Sequence, residues 1–443
     1  MQVIEAAQLR LADWIRPGDR VMWGQACAEP RTLTQLLREQ RHLIARGERF
    51  GVFLGIGAGT AIDPGCTDSI DMIGYCGTGT TRALAQAGCL DILPAHYSQM
   101  ATLLAEGRIR IDVLLLQVTP GSVPDRWRLT LAQEYLTCAL ERARVVIAQC
   151  NDQAPAMAGA AELTSSRIDV LVHASEPPLE MPSASPSAVE ERIAAHVASL
   201  IDDGATLQFG LGSVPDAVLA GLRDRRDLGI HSGLLSDRAA DLMEAGVVTG
   251  ARKTRDRHLT VAGVLMGTRR LFAHIHQNAD VRLVDTRYSH DIEVLSSLDH
   301  FVAINSAVEV DATGQVNAEI AGGIHVGAVG GSADFLRGAA RSRGGRPIIA
   351  LPSTAGRRSR IVRELEGPVT TARSDIAFVV TEYGVADLRG ATLRQRRQRL
   401  IDIAHPDFRA MLDDAALPPN PLVAMKGPAY PAAAGNDKGQ VQR

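Results

Sequence analysis

Short apolar runs alternate with helical patterns along most of the chain. The runs are FGVFLGIG, IDVLLLQV and ARVVIAQC in the first half, then HFVAINSAVEV, RPIIALP and IAFVVTEYG in the second. Segments with helical spacing, such as SADFLRGAARS and LRQRRQRLIDIA, lie between them. Apolar runs separated by helices are typical of parallel sheets covered on both faces. The pattern predicts an α/β fold whose ligands bind beyond the carboxyl ends of the strands.

A weak internal repeat relates the two halves at an offset of 186 residues. The segment IRPGDRVMWG, residues 15–24, aligns with IDDGATLQFG, residues 201–210. Each copy reads as a glycine-containing turn, a short strand and a glycine-bearing loop before the next helix. We therefore predict two tandem open parallel-sheet α/β domains, residues 1–175 and 191–415, joined by a proline-rich linker at 176–190. Residues 416–443 have no periodic apolar pattern and are predicted to be disordered.

Composition and charge exclude several classes of function. The chain has 443 residues, with 47 basic and 50 acidic side chains and a net charge of −3. No basic field is available for nucleic acid or an anionic membrane, and no apolar run is long enough to span a bilayer. We expect a cytoplasmic protein without nucleic-acid or membrane partners. Cysteine and histidine spacing offers no metal site, so we predict no metal and no permanently bound cofactor.

Two glycine-rich segments carry candidate chemistry. Gly210-Leu-Gly212-Ser-Val-Pro215 follows a predicted strand and precedes a predicted helix, where backbone N–H groups can approach a phosphate or a thioester. An unliganded turn between strand and helix would have the same pattern. Residues 314–331, GQVNAEIAGGIHVGAVGG, surround Glu319 with glycines whose N–H groups are candidates for an oxyanion hole.

Ordered motifs in the second half resemble the acetyl-CoA hydrolase/transferase family, which includes 4-hydroxybutyrate, butyryl and itaconate CoA-transferases. They are GLGSVPDA at 210–217, IHS at 230–232, DLMEAGVVT at 241–249, VNAE at 316–319, VGG at 329–331, IALPSTA at 349–355 and VTEYGVADLRG at 380–390. The resemblance implies a class I CoA-transferase that binds an acyl-CoA and a small carboxylic acid between two similar domains. It also suggests a homodimer.

The resemblance further implies which residues contact CoA. A basic residue after the LPSTA motif belongs to this set in the family, and Arg358 is its tentative match here, with Arg357 as the alternative. The implied CoA contacts are Gly210, Leu211, Gly212, Ser213, Val214, Val308, Gly327, Gly331 and Arg358.

One position departs from the family pattern. The family's nucleophilic glutamate follows the His-Ser pair, where this chain has Gly233. Another carboxylate must then attack the thioester, and we rank Glu319 first, Glu29 second and Asp237 third. Gly327 is expected to stabilise the oxyanion through its N–H group. The thiol of Cys27 is a less favoured nucleophile.

The expected function is CoA transfer between short-chain carboxylic acids, of the succinate/itaconate or butyrate/acetate type. Two alternatives remain because of the glycine at position 233. The space left by a missing side chain could admit water, which would make the protein a short-chain acyl-CoA hydrolase. The protein could also be a catalytically silent CoA-binding protein.

Overall fold

The first half of the chain forms one large, mainly parallel sheet in the computed structural model, which describes residues 1–413. Its strands are β1 (Gln2–Val3), β2 (Arg20–Trp23), β3 (Phe50–Leu54), β4 (Ile70–Gly74), β5 (Leu90–Ile92), β6 (Val113–Pro120), β7 (Arg126–Leu129), β8 (Val145–Asn151), β9 (Glu162–Thr164) and β10 (Val170–Ala174). The order is β1-β10-β8-β6-β2-β3-β4-β5, with β7 antiparallel to β6 and β9 antiparallel to β7. The predicted disordered tail lies outside the described residues.

The centre of this sheet explains its continuous apolar runs. Strand β6 pairs in parallel with β2 on one side and with β8 on the other. Every side chain from Val113 to Thr119 is buried, because helices or loops cover both faces of the strand. The predicted run IDVLLLQV therefore forms a central strand.

The second half contains a smaller sheet and several two-residue pairings. Its strands are β11 (Thr206–Phe209), β12 (Gly229–Ile230), β13 (Leu234–Leu235), β14 (Thr260–Ala262), β15 (Val264–Leu265), β16 (Val281–Leu283), β17 (Phe301–Asn305), β18 (Glu309–Asp311), β19 (Val316–Asn317), β20 (Ile320–Ala321), β21 (Ile324–His325), β22 (Arg346–Ala350), β23 (Thr354–Ala355), β24 (Arg358–Ser359), β25 (Ile361–Val362), β26 (Phe378–Thr381) and β27 (Gly384–Asp387). The main sheet has the order β12-β11-β17-β22-β26-β27, and only the edge strand β27 is antiparallel.

Helices connect the strands and cover the sheets, which confirms the predicted pair of open α/β sheets. The segments SADFLRGAARS and LRQRRQRLIDIA form two of these helices, as their apolar spacing predicts. The helices are α1 (Arg31–Glu39), α2 (Arg41–Ala45), α3 (Thr81–Gln86), α4 (Met100–Ala105), α5 (Leu136–Arg142), α6 (Ala188–Ala198), α7 (Ser213–Ala220), α8 (Asp237–Glu244), α9 (Arg269–Ile275), α10 (Thr286–Ser289), α11 (Ile292–Ser296), α12 (Ser332–Arg341), α13 (Leu393–Asp402) and α14 (Pro406–Asp413).

The internal repeat is visible in backbone conformation. Strands β2 and β11 begin and end at positions that the offset of 186 residues relates. Gly18 and Gly204, which precede these strands, have φ angles of 80° and 81°. A left-handed turn of this kind strongly favours glycine at both sites. The sequence repeat therefore corresponds to a repeated structural unit.

The two halves share a hydrophobic core. One buried apolar cluster contains Leu131 and Tyr135 from the first half together with Leu207 and Val264 from the second. The predicted linker has no helix or strand up to Ser187, whose side chain caps α6. The proposed domain limits stay a prediction, but the shared core holds residues of both halves around one cavity.

Candidate active site

A cavity of about 240 Å³ lies between the two halves of the chain. It is lined mainly by apolar, aromatic and glycine residues from both halves. Four sequence-predicted site residues, Gly210, Leu211, Gly233 and Gly331, line this cavity. The other described lining residues are Gln25, Ile56, Tyr75, Cys76, Thr78, Tyr97, Glu134, Gln208, Phe209, Leu234, Val264, Met266, His290, Asn305, Ser306, Ala318, Ala328, Val329, Gly330, Ser332 and Phe335.

The first glycine loop connects β11 to α7 and reaches a second, adjoining cavity of about 280 Å³. Residues 210–213 line this second cavity together with residues 181–184 of the extended segment. Gly212 has a φ angle of 130°, and a Cβ atom there would have no neighbour nearer than 4.0 Å. The space beside this backbone is open to a ligand. Val214 is buried, so its side chain anchors the start of α7.

The second glycine-rich loop leads into the N-terminus of α12, where Gly331 and Ser332 line the cavity. A Cβ atom at Gly331 would lie 2.6 Å from Nε2 of His290, so glycine lets the imidazole approach the backbone. The N–H group of Gly327 donates to the carbonyl oxygen of Glu319 at 3.1 Å. In this arrangement it is already engaged, which argues against the predicted oxyanion role of Gly327.

Gly233 lines the cavity beside a neutral histidine. A Cβ atom at this position would lie 3.3 Å from the ring of His290 and 3.5 Å from Phe335. The backbone of Gly233 is not left-handed, so glycine is not required there by conformation. Burial lowers the pKa of His290 to about 3, and the imidazole is uncharged at neutral pH. Gly233 and His290 themselves therefore supply neither a nucleophile nor a positive charge.

The carboxylates ranked from the sequence all have structural partners. Glu319 is buried, does not line the cavity, and accepts a hydrogen bond from Thr370 Oγ1 at 2.6 Å. Glu29 accepts hydrogen bonds from Thr34 Oγ1 at 2.8 Å and from the N–H group of Gly59 at 3.1 Å. These contacts favour structural roles, and catalysis by Glu319 or Glu29 stays a prediction.

Two further sequence candidates are also engaged. Asp237 accepts hydrogen bonds from the backbone N–H groups of Thr268 and Leu271, at the start of α9. Cys27 is fully buried, and its Sγ lies 3.7 Å from the carbonyl oxygen of Gly267. Burial raises the pKa of the Cys27 thiol to about 11, so the reactive thiolate is scarce at neutral pH.

Four predicted CoA contacts, Val214, Val308, Gly327 and Arg358, line neither the main cavity nor the adjoining one. Arg358 is 77% exposed in the β23–β24 hairpin, with Glu366 3.9 Å away. Val308 follows the cavity residue Ser306 by two positions, and its carbonyl oxygen accepts a hydrogen bond from Nε of Arg360 at 2.7 Å. The structure thus places Arg360, rather than Arg358, against the predicted Val308 contact.

Glu134 is the cavity residue that sequence reasoning missed. It is the only carboxylate among the described residues that line the main cavity, and it is 1% exposed. Gln25 Nε2 donates a hydrogen bond to Glu134 Oε1 at 2.7 Å. Burial raises the pKa of Glu134 to about 7, although the polar groups of Tyr97 and Gln25 beside it oppose this effect. The available sequence signal was one acidic residue within the largely uncharged segment LTLAQEYLTC.

The described residues contain neither a candidate metal centre nor a candidate membrane span. No group of three or more His, Cys, Asp and Glu side chains within residues 1–413 is arranged to hold a metal ion. In the same part of the chain, no helix is long and apolar enough to cross a bilayer. The predicted cytoplasmic location, homodimer and lack of a resident cofactor stay predictions.

Comparisons with known proteins agree with this fold and show the family. The sequence matches the acetyl-CoA hydrolase/transferase N-terminal domain over residues 3–179 and the C-terminal domain over residues 267–416. It is 40% identical to the 4-hydroxybutyrate coenzyme A transferase of Clostridium kluyveri over 75% of this chain and 79% of that protein. It is 35% identical to the succinyl-CoA:cyclohexane-1-carboxylate CoA transferase of Geobacter metallireducens over 91% and 92% of the two chains.

A solved structure extends the comparison to nearly the whole fold. RipA from Yersinia pestis matches with a TM-score of 0.86 and 33% identity, over 93% of this chain and 96% of that chain. The chain belongs to the acetyl-CoA hydrolase/transferase family and is an enzyme of the acyl-CoA transferase type.

Proposed function

We propose that this enzyme transfers CoA between short-chain monocarboxylic acids. The observation that carries the proposal is the cavity between the halves, bounded by the Gly210 loop and by the N-terminus of α12. The cavity has a volume of about 240 Å³ and a largely apolar lining. A cavity of this size suits an acyl group of a few carbon atoms.

The charge of the cavity favours acids of the butyrate/acetate type over succinate or itaconate. No Lys or Arg occurs among the described residues that line it, and His290 is neutral. A second carboxylate on the substrate would be buried without a cation and close to the negative charge of Glu134. A monocarboxylic acyl chain would instead contact apolar side chains such as Val264 and Phe335.

The aromatic wall of the cavity supports transfer rather than hydrolysis. Tyr75 and Tyr97 line the cavity, and Tyr135 lies behind them; the three buried rings pack edge to face, with centroids 5.5 to 6.5 Å apart. A transferase must keep water away from its reactive acyl intermediate, and a packed aromatic wall does this. The two relatives compared above are also named as CoA-transferases.

The adjoining cavity provides a route for CoA itself. It shares Gly210, Leu211, Leu234 and Met266 with the main cavity, so a chain-like ligand can pass from one to the other. The backbone at Gly212 and Ser213 would contact CoA there, as the family resemblance implies, whereas the N–H group of Gly210 already donates to the carbonyl oxygen of Ile304 at 2.9 Å. CoA is thus a substrate of this site, with no resident cofactor.

The proposal is tested by incubating the enzyme with butyryl-CoA and deuterated acetate. We expect deuterated acetyl-CoA by mass spectrometry, in amounts equal to the butyrate released. Succinyl-CoA should give a kcat/KM at least about tenfold lower, because an unpaired buried charge costs more than 1.4 kcal/mol. Free CoA released at the same rate without acetate would identify a hydrolase. CoA binding without either reaction would identify a silent binding protein.

A further inference from the structure

The backbone of Glu134 is held between the two halves of the chain. Its N–H group donates to the carbonyl oxygen of Val284 at 3.2 Å, and its own carbonyl oxygen accepts from Thr286 at 3.3 Å. Its φ angle is 40°, in the left-handed region that non-glycine residues rarely adopt. Such strain persists only where surrounding contacts impose it, and it often occurs at functional sites.

The carboxylate of Glu134 is buried without a compensating charge. Oε1 accepts a hydrogen bond from Gln25, but Oε2 has no hydrogen-bond partner within residues 1–413. No ion pair to Glu134 occurs in that part of the chain either. A buried carboxylate with one unsatisfied oxygen is costly for stability. This arrangement leaves the lone pairs on Oε2 without a protein partner at the edge of the cavity.

The carboxylate also lies next to the position that lacks the family nucleophile. Gly263 separates Glu134 from Gly233, and a Cβ atom at Gly263 would lie 3.3 Å from Cγ of Glu134 and 3.0 Å from the carbonyl oxygen of Gly233. Both Glu134 and Gly233 line the main cavity. A thioester presented to the wall at position 233 therefore lies near the Glu134 side chain.

We infer that Glu134 is the covalent nucleophile of this enzyme and supplies from the first half the carboxylate missing at Gly233. The inference rests on the proposed CoA-transferase function. The predicted CoA contacts are unaffected. As the nucleophile, Glu134 takes the place of Glu319, which the sequence ranked first.

The chemistry balances without a co-reactant. Oε2 of Glu134 attacks the thioester carbonyl, the C–S bond breaks, and CoA leaves as a thiolate from an acyl-glutamyl anhydride. The thiolate then attacks the glutamyl carbonyl, which releases the first carboxylate and forms a Glu134–CoA thioester. The second carboxylate attacks this thioester and reverses both steps, so that the new acyl-CoA leaves and Glu134 is an ionised carboxylate again.

The protonation of Glu134 is compatible with this role. Its pKa of about 7 leaves a substantial ionised fraction at neutral pH, and the exchange rate should rise as pH increases through 7. The other ionisable groups at the cavity are Tyr75, Cys76, Tyr97, Tyr135 and His290. Burial raises the pKa of the three tyrosines and of the Cys76 thiol and lowers that of His290, so all five are uncharged at this pH. Glu134 is thus the group that titrates in the cavity near neutrality.

The test locates the intermediate in the wild-type enzyme. Butyryl-CoA is supplied without an acceptor acid, the protein is reduced with borohydride, and tryptic peptides are mapped by mass spectrometry. Trypsin places the candidates in separate peptides: residues 129–142 contain Glu134, residues 21–31 contain Glu29 and residues 288–337 contain Glu319. Fragmentation separates Glu134 from Glu141, which shares its peptide.

We expect the reduced residue to be Glu134. Glu134→Gln should lower exchange at least about 1,000-fold, a loss of the order seen when a nucleophile is removed, while CoA binding stays within about twofold. Glu319→Gln, Glu29→Gln and the exposed control Glu141→Gln should retain exchange. If Glu134→Gln does not fold, the labelling of the wild-type enzyme still decides.

Other outcomes separate the inference from the proposed function. Two results would overturn the inference and leave the proposed function standing. One is exchange with the covalent intermediate on Glu319 or Glu29, and the other is undiminished exchange by the Glu134→Gln variant. Steady CoA release without any modified peptide overturns both, because water is then the nucleophile. The absence of both exchange and release in the wild-type enzyme also overturns both.

Discussion

The stability of Glu134→Gln relative to the wild-type protein should increase as pH rises from about 4.5 to 7. Burial raises the pKa of Glu134 from its ordinary value of 4.5 to about 7, so between these values the folded state holds a proton that the unfolded state releases. The stability of the wild-type protein therefore falls with pH across this window. Each pKa unit corresponds to about 1.4 kcal/mol, so the loss is about 3 kcal/mol in total. Glutamine cannot ionise and avoids it.

The assay is urea unfolding of the wild-type protein and Glu134→Gln, followed by circular dichroism from pH 4.5 to 8. The difference in the free energy of unfolding should grow by about 3 kcal/mol and then level off above pH 7, where Glu134 is ionised in both states. Other buried groups, such as Glu29 and His290, are common to both proteins and cancel in the difference. Glu141→Gln removes a carboxylate that is 59% exposed and should show no such trend. A difference that is constant with pH, or that shrinks as pH rises, would refute the reasoning.

Four further predictions test the site and its surroundings. Gly212→Val fills the open space beside a backbone with a φ of 130°, so calorimetry should show CoA affinity at least about tenfold weaker; unchanged affinity would contradict the assigned loop. Adding Gly233→Glu to Glu134→Gln should restore part of the exchange and move the reduced residue to position 233, whereas modification of neither position would argue against a shared role. Gly327→Ala places a Cβ atom 2.0 Å from a backbone carbonyl oxygen and should lower the free energy of unfolding by about 1–3 kcal/mol. The control Gly221→Ala, whose Cβ atom has no neighbour nearer than 3.4 Å, should lower the free energy of unfolding by less. Chelators should leave exchange unchanged, and activity that is lost with a chelator and restored by zinc would show an unrecognised metal site.

The features that the sequence predicted well are those determined over a few residues. Strands such as β6 follow from continuous apolar runs. The turns at Gly18 and Gly204 follow from the internal repeat, because glycine adopts their left-handed backbone conformation most easily. The Gly210 loop was recognisable because its pattern lies within one strand–loop–helix unit. Motif order in the second half was sufficient to indicate the family.

The catalytic carboxylate depends instead on contacts between distant parts of the chain. Glu319 ranked first because it lies among glycines. The sequence could not show that its carboxylate accepts a hydrogen bond from Thr370, or that its carbonyl oxygen accepts one from Gly327. Glu134 was overlooked because one acidic residue in an uncharged segment does not show where that residue packs. Its strained backbone and its position beside Gly233 depend on contacts with residues of the second half of the chain, such as its backbone hydrogen bonds with Val284 and Thr286. Burial and proximity are properties of the packed chain, so the sequence alone determined the fold, and the tertiary structure decided which carboxylate faces the cavity.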